Sequence, residues 1–214
     1  MPHLEAFLRD RSPLDQNQLR RIRELTSDWQ LLADLSFADL ILWVPLRKDF
    51  KSWPTGYVAV AHIRPTTAAT VFPQEVIGEE ISWGSRPQID QALSGAEIIR
   101  DAQPEKSGEL LIKEETIPVI LDEQVIAVIS RHRNAELMRQ PSRLELNYRE
   151  VAHNVFRMVA EGTFPYTEHS ELFDPAVRVG DGLIRLDING VITYASPNAK
   201  SAFNRMGLAG ELEG

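Results

Sequence analysis

The 214-residue chain contains no cysteine. No disulfide, cysteine–zinc site, iron–sulfur cluster, cysteine nucleophile or thioether-linked bilin can therefore form. No apolar run reaches the roughly 18–20 residues that span a bilayer, so no membrane partner is expected. Met1-Pro2-His3-Leu4-Glu5 lacks a basic n-region and an apolar h-region, and the expectation is a cytoplasmic protein without a signal peptide. Internal repeats and low-complexity tracts are also missing. Positive charge is in deficit: 23 Lys and Arg stand against 31 Asp and Glu, a formal net charge of −8. That balance disfavours direct contact with nucleic acid or anionic lipid. It leaves open a small anionic ligand in a local basic pocket.

What is present is ordinary globular material. At 43% hydrophobic the chain can bury a core, and its length fits one or two domains. Leu19, Ile22, Leu25, Trp29 and Leu32 recur at steps of three and four, which predicts an amphipathic helix over 15–32, with Ser12-Pro13 as its start signal. Ala38 to Pro45 and Tyr57 to Pro65 read as two buried strands forming a hairpin with a loop of about ten residues. The segment 66–104 reads as irregular, with a helix at Gln88 to Leu93. Leu110 to Lys113, Thr116 to Leu121 and Gln124 to Ser130 read as strands, the last two joined at Asp122-Glu123. Leu144, Tyr148, Val151, Val155 and Met158 step by four, three, four and three, a second amphipathic helix over 143–161 that Gly162 ends. That spacing also makes a seam for pairing with a twofold mate, so a homodimer is expected. Residues 162–175 read as a linker.

The tail carries the sharpest local pattern. Apolar alternation through Leu183 to Leu186 and Val191 to Ala195 flanks Asn189-Gly190, which predicts a two-residue hairpin with a type I′ turn. Ser196-Pro197-Asn198-Ala199 then turns into a short helix. This order resembles the opening of a PAS domain, of which residues 176–214 would be only the front part. Missing its later strands, such a unit is expected to be disordered unless it is stabilised by a neighbouring chain or docks on the preceding domain.

The fold class expected is α+β: a domain over 1–161 with an antiparallel sheet flanked by terminal helices, followed by an incomplete PAS domain. The element order fits a GAF domain, whose long middle segment roofs the ligand cavity. Leu40-Ile41-Leu42-Trp43-Val44-Pro45, Ala59-Val60-Ala61-His62-Ile63-Arg64-Pro65-Thr66-Thr67 and Glu115-Thr116-Ile117-Pro118-Val119, with the tail motif, make the chain similar to the sensor half of soluble actinobacterial two-component histidine kinases. The resemblance implies a GAF domain and a PAS domain ahead of a kinase region. It further implies a response regulator with an RNA-binding antiterminator domain as partner. The family's phosphoacceptor histidine motif and its Asn-, Asp- and Gly-rich ATP boxes are absent from these 214 residues, so the fragment is not expected to be an enzyme.

Candidate site residues follow from residue type. Trp43, Tyr57 and Trp83 could stack on a ring, and Arg64, Arg86 and Arg100 border the expected roof with side chains suited to phosphate or carboxylate. Together they would suit a small-molecule or nucleotide-like ligand; no cofactor is certain. His62 lies in an apolar strand and by parity goes with Val58, Val60 and Arg64, either as a hydrogen-bonded histidine or as a haem axial ligand. His153 is followed by Asn154 on a helix, but the motif around it is wrong for a phosphoacceptor. Arg131-His132-Arg133 reads as a solvated strand end, and Glu79-Glu80, Glu114-Glu115 and Asp122-Glu123 as surface carboxylates. Metal ligation is not expected. Two rivals to a ligand sensor remain. One is a dimerisation scaffold with an empty pocket; the other, a GAF-like methionine sulfoxide reductase, needs the cysteines this chain lacks.

Overall fold

Strands without a polar face must be covered on both sides, and here they are. A computed structural model describes residues 4–100, 104–135, 140–165, 178–208 and 210–214. The elements run α1 (Leu4–Leu8), α2 (Gln16–Ser27), α3 (Trp29–Ser36), β1 (Asp39–Leu46), β2 (Gly56–Ile63), β3 (Glu80–Ser82), α4 (Pro87–Gly95), β4 (Ile99–Arg100), β5 (Glu105–Ser107), β6 (Leu110–Leu121), β7 (Gln124–Asn134) and α5 (Arg143–Ala160). Strands β1 to β7 form one sheet in the order β3-β2-β1-β7-β6-β4, with β5 also on β6, and every pairing is antiparallel.

One face packs on helices α1, α2, α3 and α5 through Leu8, Ile22, Leu25, Leu32, Leu40, Leu42, Ile129 and Phe156. The other face lies under the segment between β2 and β4 and is built on Ile41, Trp43, Tyr57, Ala59, Ile89 and Val128. The expected helix over 15–32 is two helices. Asp15 caps α2 through a reciprocal box with Gln18, and Asp28 at φ −94°, ψ 9° breaks the run before α3. The apolar stripe survives the break, with Leu19, Ile22, Leu25, Trp29 and Leu32 all buried. Helix α1 had no sequence signal strong enough to be read.

Two further expectations change. Leu110–Lys113 and Thr116–Leu121 are one strand, because Glu114 and Glu115 are not a break but buried partners of arginines. The two-residue hairpin with both central φ values positive is Asp122-Glu123, at 50° and 62°, between β6 and β7. In the tail hairpin, between Leu186 and Ile192, only Gly190 is left-handed, at φ 83°; Asp187 closes a wider loop by accepting the amides of Asn189 and Val191. That is a three-residue loop with a left-handed glycine rather than a type I′ turn.

The β1–β2 ladder carries the bulge that positions the site. Leu42 opposes Ala61 while Trp43 opposes Ala59, so Val60 is the extra residue. A bulge reverses side-chain parity beyond it. His62 therefore opposes Ile41 and shares the roofed face with Trp43 and Tyr57, not the helix face with Val58 and Val60. The parity expectation for His62 fails for this reason.

Beyond α5, which ends at Gly162 with φ 75°, the expected linker lies mostly in residues outside the described set. The tail then forms a 3-10 turn (Val179–Asp181), the antiparallel pair β8 (Ile184–Leu186) and β9 (Ile192–Ala195), and α6 (Pro197–Arg205), capped by Ser196. It docks on the first domain: Val179, Leu183 and Tyr194 join the helix-side core, and Arg185 pairs with Glu150 of α5 at 2.5 Å. Among the described residues no helix is long and apolar enough to cross a membrane.

Candidate functional site

The roofed face of the sheet concentrates buried polar groups in an apolar surround. Trp43 is 3% exposed, and its indole Nε1–H donates to Ser130 Oγ at 2.8 Å. Ser130 Oγ lies 2.9 Å from His132 Nε2. An indole N–H can only donate, so the single hydroxyl proton of Ser130 is free to go to His132 Nε2. That direction requires a neutral imidazole accepting on Nε2. Burial supplies it: desolvation, with Arg86 nearby, pushes His132 down to about 3, against a smaller opposing pull from Asp39.

Asp39 starts β1 on the same face. Its carboxylate accepts from Thr70 Oγ1 at 2.5 Å and from the Val71 amide at 2.9 Å, which pins the roof segment to the sheet. His62 Nε2 is 3.9 Å from Asp39 Oδ1, too long for a hydrogen bond, and this buried nitrogen has no partner. Phe72, also from the roof, stands edge-on to both imidazoles, with ring centroids 5.4 Å from His62 and 4.9 Å from His132.

A second group adjoins along the strands. Tyr57 O–H donates to Asp90 Oδ1 at 2.8 Å, and Asp90 Oδ2 accepts the Gly84 amide at 2.9 Å. Burial, then the Asp90 bond, holds the phenol well above its ordinary range. Trp83 stacks on Tyr57 with centroids 6.0 Å apart, and the exposed Trp53 leans on Trp83 at 5.3 Å. Arg86 bonds Glu114 at 2.5 Å beside them.

The fold thus gathers Trp43, Tyr57, His62, Trp83 and Arg86 on one face of the sheet. Among the described residues no group of three His, Asp or Glu is placed to hold a metal ion. Two arginines do not join. Arg64 is exposed past the end of β2, with its carbonyl bonded to Gln30, and Arg100 lies on the α5 face against Glu115.

Residues 4–152 match the family described as Histidine kinase PdtaS, GAF domain. The chain belongs to that family. The Sensor histidine kinase PdtaS of Mycobacterium tuberculosis (strain ATCC 25618 / H37Rv) is 37% identical over 218 residues, covering 100% of this chain and 42% of that protein. The Sensor histidine kinase PdtaS of Mycolicibacterium smegmatis (strain ATCC 700084 / mc(2)155) is 35% identical over 217 residues, with the same two coverages. The chain thus spans 42% of the length of the curated relatives it matches. A solved structure described as the sensor region of a sensor histidine kinase superposes with a TM-score of 0.81 at 37% identity, covering 99% of this chain and 71% of that one.

Within this GAF domain, Asp39, Ser130, His132 and Phe72 were not readable as site residues. The Arg131-His132-Arg133 stretch is not a solvated strand end: His132 is 3% exposed. The available signal was alternation running on through Val128, Ser130 and His132, which keeps all three on one face. The helix seam is partly committed within the chain. Tyr148 packs in the core beside Phe37, and Leu144, Val151 and Val155 are half-buried against the same core. His153 is exposed, with Nδ1 3.3 Å from Arg100 Nη2.

Proposed function

We propose that this chain is the signal-input region of a cytoplasmic histidine kinase, and that its GAF domain recognises a small molecule or nucleotide on the roofed face. Trp43, Tyr57, His62, Trp83 and Arg86 would make the contacts. The observation that carries this reading is the buried His62 Nε2 without a partner. An unmet polar atom there costs stability, and a ligand that bonds it recovers that cost. Residues 176–214 are read as the start of a PAS domain, with 162–175 as the linker. Helix α5 leads from one unit to the other, and its half-buried Val151, Val155 and Met158 offer a seam for a homodimer. Ligand binding would shift the balance between helix arrangements in that dimer and so bias the kinase region. The phosphoryl group would pass to a response regulator with an RNA-binding antiterminator domain.

The test is autophosphorylation of the full-length kinase with and without His62→Leu. The substitution is expected to change the rate several-fold while leaving the protein folded; equal rates in two folded proteins would sink the reading. A dimerisation scaffold with no ligand is the alternative, favoured by Phe72 filling the space between the imidazoles. A thermal-shift screen with nucleotides, haem and metals separates the two, since a ligand that binds only the folded state raises its stability.

A further inference from the structure

The α5 side of the sheet carries an arrangement of cations that folding alone does not favour. Arg131 of β7 stands across from Glu115 of β6, which stands across from Arg100 of β4. Two residues along, Arg133 of β7 stands directly across from Lys113 of β6. Glu115 serves both flanking arginines, with one carboxylate oxygen 2.7 Å from Arg100 Nε and the other 2.7 Å from Arg131 Nη2. Glu114 points to the opposite face, where it pairs with Arg86. Arg149 approaches from α5 but is held by Glu145. Lys113 and Arg133 thus have no carboxylate in ion-pair range among the described residues.

Like charges directly opposed across a strand pair are destabilising. Burial first, then the nearby Arg149, lowers Arg133 from its ordinary range, against smaller opposing pulls from Glu115 and Glu145. This happens in a chain whose net charge is −8, where acidic side chains are plentiful. Natural proteins break such local rules chiefly at functional or strained sites. Between them is a cleft of about 150 Å³ lined by Arg100, Lys113, Glu114, Glu115, Arg131 and Arg133.

We propose that this cleft binds a small dianion, a phosphate group or a dicarboxylate, clamped between Lys113 and Arg133 with Arg100 and Arg131 behind it. The chemistry fits because guanidinium forks bond paired oxyanions bidentately, and lysine adds a point charge. Size matches the ligand: at about 150 Å³ the cleft is well below the roughly 300–1,000 Å³ of pockets for drug-sized molecules, and holds one small charged group. Arg131 also lies over the Phe156 ring of α5 at 5.5 Å, and Arg100 reaches His153 of the same helix, so an anion here would be felt by α5. The site is on the sheet face opposite the roofed cluster, and its test needs no kinase activity. It stands or falls apart from the function proposed above.

The experiment is thermal unfolding of the purified chain at constant ionic strength, with chloride replaced by inorganic phosphate in one arm and by succinate in the other. The melting temperature is expected to rise saturably in at least one arm. A response to phosphate alone assigns the phosphoryl class, and a response to succinate alone the carboxylate class. The double variant Lys113→Gln/Arg133→Gln should weaken the apparent affinity roughly tenfold or more. Its melting temperature without anion should be unchanged or higher, because a repulsion is removed. The proposal is overturned if neither anion exceeds chloride, if the double variant responds like the wild type, or if the variant without anion melts lower, which would make the pair structural.

Discussion

Trp43 and Ser130, 87 residues apart in the chain, are joined by an indole N–H donating to a hydroxyl at 2.8 Å in the interior. The bond ties β1 to the polar row Ser130-His132 of its neighbour β7 and orients the hydroxyl toward His132 Nε2, 2.9 Å away. Replacing Ser130 with Ala strands both the indole N–H and the imidazole acceptor. The expected cost is about 2–4 kcal/mol, from one or two buried groups left without partners. Urea unfolding measures it; a loss below about 0.5 kcal/mol, the size of a neutral surface change, would show that the chain of bonds contributes nothing.

His132 makes stability depend on pH with a definite sign. Its folded pKa is depressed from 6.5 to about 3, so between those values the unfolded chain holds a proton that the folded chain does not. Stability is then flat above neutrality and falls as the pH drops below 6.5. The expected loss between pH 7.5 and 5.5 is about 1.4 kcal/mol from this residue. His132→Gln should remove that part of the slope. Unfolding curves at half-unit pH steps for both proteins provide the comparison, and parallel slopes would contradict a neutral, buried His132.

His62 is expected to trade stability for binding. Its Nε2 is buried without a partner, so His62→Leu should raise the stability of the ligand-free chain by about 1 kcal/mol. A lower urea midpoint would instead mean that the Phe72 edge contact and the Asp39 charge already satisfy the ring.

The tail docks by apolar contact more than by charge. Glu150 and Arg185 are both solvent-accessible, at 57% and 30% side-chain exposure, and such a pair contributes no more than about 1 kcal/mol. Tyr194 is 6% exposed in the core with Val179 and Leu183. Tyr194→Ala is expected to release the tail at a cost of about 3 kcal/mol. Hydrogen exchange would show it as lost protection in β8 and β9 with β6 and β7 unchanged. Loss limited to Glu150→Ala would reverse the ranking.

Legibility in the sequence followed the range of the interaction responsible. The stripes Leu19 to Leu32 and Leu144 to Val155 are visible because a helix repeats locally, and both bury the faces expected. The strands β1, β2 and β7 are visible because both their faces are apolar. The type I′ turn expected at Asn189-Gly190, where composition favours it, does not form there, and Asp122-Glu123 holds the two left-handed residues. The register of twelve- and eleven-residue strands on either side dictates that turn, and no local residue preference reports it.

By itself the sequence determined that this chain builds an α+β domain whose apolar strands are flanked along the chain by amphipathic helices, without cysteine chemistry, and which aromatics and arginines were available. Only the tertiary structure decided which of them meet. A single bulged residue, Val60, turned His62 from the helix face to the roofed face, where Asp39, Phe72 and His132 arrive from elsewhere in the chain. Ladder register sent Arg100 to the cationic cleft and left Arg64 in solvent. Hydrophobic alternation is written along one segment, whereas bulges and register are set by the partner strand, so the composition of a site emerges only when the sheet is assembled.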